Sequence, residues 1–111
     1  TIKCWSTITG ALIETFILHS APVNDMLYLK VNRHLLISCS EDRSLKFIDL
    51  ELLEEIKSIN MNEEIIRISY LKLEVLNKDE EGDIFENDII VVASTSNGDN
   101  YFFSLNEGKY F

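Results

Sequence analysis

The sequence predicts an all-β fold, and three observations carry that expectation. Apolar residues recur with period 2 or in short continuous runs, the pattern of half-buried and fully buried strands. Turn-forming residues separate these runs at regular spacing. One pattern of residues also returns after 43 positions, the mark of a repeated supersecondary unit.

Nine strands follow in order. Ile2–Trp5 and Leu12–Leu18 flank the Thr9-Gly10 turn. Ala21-Pro22 leads into Val23–Leu29, and Leu35–Ser40 follows. The acidic turn Glu41-Asp42-Arg43 then opens Leu45–Leu50. Glu54–Ile59 is read as a strand because it repeats an earlier one, although the Leu, Glu and Lys of "IDLELLEEIKSI" would also suit a short helix. Ile65–Val75, Ile89–Ser94 and Tyr101–Leu105 complete the set, the last two separated by Asn97-Gly98-Asp99. Short strands at this spacing fit a sandwich, a barrel or a propeller.

Composition narrows the function. The chain has 111 residues and is 46% hydrophobic, enough for a packed core and against whole-chain disorder. Its formal charge of −9 argues against binding a nucleic-acid backbone. The acidity is local: Asn77–Asp88 holds six acids and one Lys, leaving −4 elsewhere. Cys4 and Cys39 lie in apolar runs without metal-ligand spacing, so buried thiols in a reducing compartment are expected. No apolar run approaches the ~20 residues of a membrane-spanning helix.

The repeat is read directly from the residues. "TIKCWSTITGALIETF" aligns with "SLKFIDLELLEEIKSI": Thr1 meets Ser44, Lys3 meets Lys46, Ser6 meets Asp49 and Phe16 meets Ile59. Ile65, Ile68 and Tyr70 match Val23, Met26 and Tyr28. "ASTSNGD" matches "SCSEDRS" at an offset of 55, with Asn97 under Asp42 and Ser104 under Asp49. The longer step is explained by a 12-residue insertion, Asn77–Asp88.

A unit of about 43 residues with four strands resembles the WD40 repeat of β-propellers. The resemblance covers nearly the whole chain and implies a partial β-propeller built of four-stranded antiparallel blades. On that basis residues 1–18 give the third and outer strands of one unit. Residues 19–60 give a complete unit, and 61–111 a further unit with the 77–88 insertion and an incomplete outer strand. The chain is thus expected to be a segment of a longer propeller, with a ring of several copies as the alternative. The family often joins a His, a Ser or Thr, an Asp and a Trp by hydrogen bonds within a blade. His19, Ser38 and Asp42 match three of those places in the complete unit, whose fourth is Ile48. Trp5 keeps the Trp place one unit earlier, while Met61 and Asn97 stand in the His and Asp places one unit later.

The same residues admit a catalytic reading, with His19, Ser20 or Ser38, and Asp42 as base, nucleophile and orienter. The structural reading is preferred, because buried polar groups of these types must be bonded to one another or to water. No catalytic, cofactor-binding or metal site is therefore expected. Asp79, Glu81 and Asp83 alternate as in a calcium loop, but Gly82 precedes the third acid and the terminal Glu is missing. The insertion reads instead as a solvated, mobile loop. Asp79, Glu80, Glu81, Asp83 and Glu86 could dock a basic partner there, with Phe85 and Ile84 as apolar anchor. Trp5, Tyr101, Phe102 and Phe103 are expected to pack between blades. His34 is expected to be exposed, with no second ligand at metal spacing.

The resemblance implies a non-catalytic, intracellular scaffold, nuclear or cytoplasmic, of a multiprotein complex such as a ribosome-assembly, ubiquitin-ligase or trafficking assembly. Its partners would be other proteins and further blades of a parent chain, not membranes or nucleic acid. The binding surface would lie on the loops His19–Pro22, Glu41–Arg43, Asn62–Glu64 and Ser96–Asp99. Arg43 is the best single anchor, since a guanidinium offers five donors and a planar face. Glu41, Glu63, Glu64 and Asp99 surround it with negative charge, which favours a basic partner. The alternative is a pair of plain structural blades whose parent binds through other parts.

Overall fold

The computed structural model describes residues 1–30, 33–79 and 82–105, with 73–79 and 82–88 described through their backbone alone. It is all-β and antiparallel, with nine strands and no helix among those residues. The strands are β1 (Ile2–Trp5), β2 (Leu12–Phe16), β3 (Val23–Lys30), β4 (His34–Ser40), β5 (Ser44–Asp49), β6 (Glu54–Asn60), β7 (Ile65–Asp79), β8 (Gly82–Thr95) and β9 (Asn100–Ser104). They form sheets of two, four and three strands, ordered β1-β2, β3-β4-β5-β6 and β7-β8-β9. Each sheet follows the chain without a crossover, as short turns between antiparallel neighbours require.

The sequence repeat reappears as identical strand pairing. In the first sheet Ile2 faces Phe16, Lys3 faces Thr15, Cys4 faces Glu14, and a bulge brings Trp5 opposite Leu12. Forty-three residues later Leu45 faces Ile59, Lys46 faces Ser58, Phe47 faces Lys57, and a bulge brings Ile48 opposite Glu55. The bulge that brings Asp25 opposite Cys39 returns as Arg67 opposite Ser94. Likewise, Leu35 opposite Asp49 returns as Ile90 opposite Ser104. The left-handed residues obey the same offsets: Gly10 (φ 73°) and Leu53 (φ 56°), then Arg43 (φ 69°) and Gly98 (φ 87°). A one-residue slip would turn every side chain to the wrong face, so shared register means shared inner and outer faces.

Those faces build two cores, with the four-stranded sheet in the middle. On one side Ile2, Phe16 and Ile48 close the space between the first and second sheets, helped by Leu36, Leu50 and Leu53. On the other, Ile37, Cys39, Leu45 and Phe47 meet Ile65, Ile68, Val91, Ala93 and Phe103. Strand β5 is covered on both faces, which is why "SLKFID" shows little alternation between buried and exposed positions.

The sheets are also pinned by polar hooks. Asn24 Nδ2 donates to Ile65 O at 2.9 Å, and Ile68 N–H donates to Asp25 Oδ2 at 3.0 Å. Both partners lie at the start of β7, whose outer edge has no neighbouring strand among the described residues. The hooks therefore satisfy backbone groups that a sheet edge otherwise leaves open.

Three expectations are corrected. The acidic run is not a free loop in its backbone: β7 and β8 stay paired as far as Asp79 opposite Gly82. Residues 73–88 fill the interval that residues 31–33 fill one unit earlier, between Lys72 opposite Ile89 and Lys30 opposite His34. Val75, Leu76, Ile84 and Phe85 favour the extended state, and a hairpin lengthens by adding ladder bonds. Secondly, Trp5 and Phe102 do not pack between sheets; they are 55% and 42% exposed. Their side chains are only partly covered by described residues, whereas Phe103, one place on, is buried. Thirdly, His34 is half-buried rather than exposed; its Nδ1 bonds the Tyr28 hydroxyl and its Nε2 lies 3.7 Å from Glu51 Oε1. The outer strand expected to end the chain falls on residues 106–111, outside those described.

Candidate functional site

One end of the three sheets gathers the polar residues that the sequence singles out. The segment after β2 lays His19 against the β4–β5 turn, and three side chains close around it. His19 Nε2 lies 2.7 Å from Ser38 Oγ, and Nδ1 lies 3.0 Å from both Asp42 Oδ2 and Ser44 Oγ. With Nδ1 protonated, the ring donates to Asp42 and accepts the Ser38 hydroxyl proton. The imidazole is 1% exposed.

Asp42 is the hub. Oδ2 accepts His19 Nδ1–H and Ser20 N–H, while Oδ1 accepts the N–H and the hydroxyl of Ser44. Burial works to raise its pKa. The Ser44 hydroxyl, Ser20 N–H, His19 and Ser44 N–H outweigh that effect and pull it down to about 2. The turn is tightened from behind by Ser40, whose Oγ accepts Asp42 N–H at 3.0 Å and donates to Pro22 O at 2.8 Å.

The sequence points to His19, Ser38 and Asp42, and the structure brings all three together. It misses Ser44 and Ser40, although an Asp with a Ser two residues either side is the pattern of an Asx turn and its brace. Trp5 is not part of this network; it sits exposed on β1. Ile48, in the fourth place, lies in the core with Ile2 and Phe16.

One unit later the His place is Met61, and the turn residue Asn97 bonds instead to Glu63, two residues further on, with reversed polarity. His19 and Asp42 are a donor on the leading loop and an acceptor at the turn. In the third sheet the acceptor is on the leading loop and the donor at the turn: Asn97 Nδ2 donates to Glu63 Oε1 at 2.6 Å. The Asn97 amide and the Thr95 hydroxyl hold the Glu63 carboxyl below its ordinary range, against a small opposing effect of burial. Asp99 shares a hydrogen bond with Glu63 and feels its charge, so its carboxyl is raised. Tyr101 OH reaches Glu63 Oε2 at 3.5 Å, and the Glu63 charge raises the phenol as well.

The candidate binding loops lie side by side. Met61 N–H donates to Arg43 O at 2.7 Å, Glu41 N–H to Pro22 O at 3.2 Å, and Ser96 N–H to Glu64 O at 2.9 Å. Arg43, Glu41, Glu64 and Asp99 are exposed, and Glu63 is half-buried. Arg43 makes no ion pair among the described residues. The other candidate surface is split: Asp79, Asp83, Phe85 and Glu86 lie on the hairpin arms, and Glu80 and Glu81 fall outside the described residues.

Chemically, the His19 set is closed. Both ring nitrogens are hydrogen-bonded, and the imidazole is closed to solvent. Cys39 is equally inert: burial, then the Asp25 charge, pushes its thiol up to about 12. No cluster of metal-ligating side chains occurs among the described residues. Comparison with known proteins returned no family model, no curated protein and no solved structure that matches the chain.

Proposed function

We propose that this chain is a WD40-like segment of a β-propeller and serves as a non-catalytic protein-binding scaffold. The observation that carries the reading is the shared register of the three sheets, bulges and left-handed residues included, around a sealed His19–Ser38–Asp42 staple. Repeated sheets of this kind bury their faces only on one another. What they leave free for recognition is their loops.

The binding surface on this reading is the end that carries Arg43 among Glu41, Glu63, Glu64 and Asp99, and it favours a partner with basic groups. Burial of the His19 ring supports a structural role over a catalytic one, since a base must reach its substrate. Capture by tagged wild-type chain, read by quantitative mass spectrometry, tests the proposal. Proteins lost in both Arg43→Glu and a Glu64→Lys/Asp99→Lys variant, with unchanged melting, are the expected result. A captured set identical across the variants sinks the scaffold reading and leaves the sheets purely structural.

A further inference from the structure

Asn97-Gly98 is the one place in the chain where an Asn precedes a Gly. The pair sits in the turn between β8 and β9, and both residues are exposed. A glycine has no side chain to shield its backbone nitrogen, so that nitrogen can attack the side-chain carbonyl of a preceding Asn. A bond then forms between Gly98 N and Asn97 Cγ, the Cγ–Nδ2 bond breaks, and ammonia leaves with the proton from Gly98 N. Water opens the resulting cyclic imide. Cleavage at Cγ gives aspartate; cleavage at the main-chain carbonyl gives isoaspartate, with one extra carbon in the backbone.

The folded turn holds both reacting groups away from this step. Gly98 N–H is engaged with Thr95 O at 3.1 Å. Asn97 Nδ2 donates to Glu63 Oε1 at 2.6 Å, which fixes the amide toward the loop before β7. Attack needs the Asn97 side chain to swing back over Gly98 N, and that motion breaks the bond to Glu63. The counterpart turn one unit earlier has no such reactivity to guard. There the pair is Asp42-Arg43, and an ionised carboxylate is a poor electrophile.

We propose that Asn97-Gly98 is a spontaneous modification site, that Glu63 guards it, and that conversion is a one-way switch of this loop end. The product replaces a donor by an acid, and that acid faces the carboxylate which held the donor. Asp42 meets a histidine across its turn, whereas the carboxylate made from Asn97 meets Glu63, to which Asp99 is already hydrogen-bonded. Like charges at that distance repel, so the clasp opens and the surface gains one negative charge. The reaction consumes water alone. The inference rests on the geometry of the turn and does not depend on the protein-binding reading above.

The test holds the full 111-residue chain at neutral pH, native or in urea, and samples it over days by peptide mapping. Mass spectrometry reads the gain of one mass unit at Asn97. In urea Asn97 is expected to convert before every other asparagine. In the native chain it converts about three- to ten-fold more slowly, the factor that one hydrogen bond carries. Glu63→Ala brings the native rate up toward the urea rate. Glu63→Gln, whose side-chain carbonyl still accepts from Asn97, keeps most of the protection. Asn97→Asp, the stand-in for one product, quickens amide exchange at Ser96, whose N–H donates to Glu64 O at 2.9 Å. Equal native and urea rates overturn the proposal from the wild type alone, whether or not Glu63→Ala folds. A Glu63→Ala chain that melts like the wild type and converts no faster overturns the guarding role. Unchanged exchange at Ser96 in Asn97→Asp overturns the switch.

Discussion

Arg43 and Gly98 hold the same place in the corresponding hairpins of two successive units, both with left-handed backbone, φ 69° and 87°. The turn hydrogen bond is the same in each: Arg43 N–H to Ser40 O at 3.2 Å, Gly98 N–H to Thr95 O at 3.1 Å. One hairpin uses the residue suited to that conformation, and the other an arginine that tolerates it. A Cβ built on Gly98 meets nothing within 4 Å, so Gly98→Ala costs only the backbone strain, about 1–2 kcal/mol. Arg43→Gly relieves that strain and gives back part of it as chain entropy, for a net gain of up to ~1 kcal/mol. Urea midpoints of the two variants should move in opposite directions.

Removing the hub of the staple strands several donors at once. Asp42→Ala leaves His19 Nδ1–H and the N–H groups of Ser20 and Ser44 without their acceptor, an expected loss of about 1–3 kcal/mol. The depressed carboxyl pKa gives this term a pH signature. Its stabilisation is present above the unfolded value of ~3.9 and fades as pH falls toward about 2. Acid unfolding followed by circular dichroism should show a limb in that window that Asp42→Asn lacks.

Cys39 and Cys4 should separate cleanly in thiol chemistry. Cys39 is fully buried with its pKa pushed up to about 12, while Cys4 is half-buried at the end of a two-stranded sheet. Mass spectrometry after brief maleimide labelling should find Cys4 modified first and Cys39 only on unfolding. Because the folded pKa of Cys39 is raised, its contribution holds below the unfolded value near 8.5. It is lost as pH climbs toward 12, so alkaline unfolding should begin in that interval.

The hook between sheets should behave as a coupled pair. Asp25→Ala frees Ile68 N–H at the start of β7 and should cost about 1–3 kcal/mol. Amide hydrogen exchange should then quicken at Ile68 more than at Ile37, which lies inside the β4 ladders.

Much of the architecture is legible in the residues because period and repeat are local properties. All nine strands overlap the places where apolar periodicity and turn residues put them, although β7 and β8 run on into the acidic segment, and the ambiguous "EEIKSI" resolves to a strand as its copy "LIETF" does. The His19–Ser38–Asp42 contact is legible only through the spacing of a repeated unit, since 19 and 23 residues separate His19 from its partners. The exposure of Trp5 and Phe102 is not legible: a sequence shows which face a side chain joins, not whether anything lies over that face. The Asn24 and Asp25 hooks read as an interruption of the β3 alternation, and nothing local says that β7 receives them. Leu53 at φ 56° is equally silent on its own; only its copy, Gly10, hints at the conformation.

The hooks from β3 also give assembly a direction. The groups that quiet the β7 edge belong to the sheet that leaves a ribosome before it. The second sheet can therefore complete its own ladder first, whereas the edge groups of the third find their partners only once that neighbour is in place. Chain halted after the third sheet but carrying Asp25→Ala would leave Ile68 N–H open on a strand edge at the moment when association with other nascent chains is easiest.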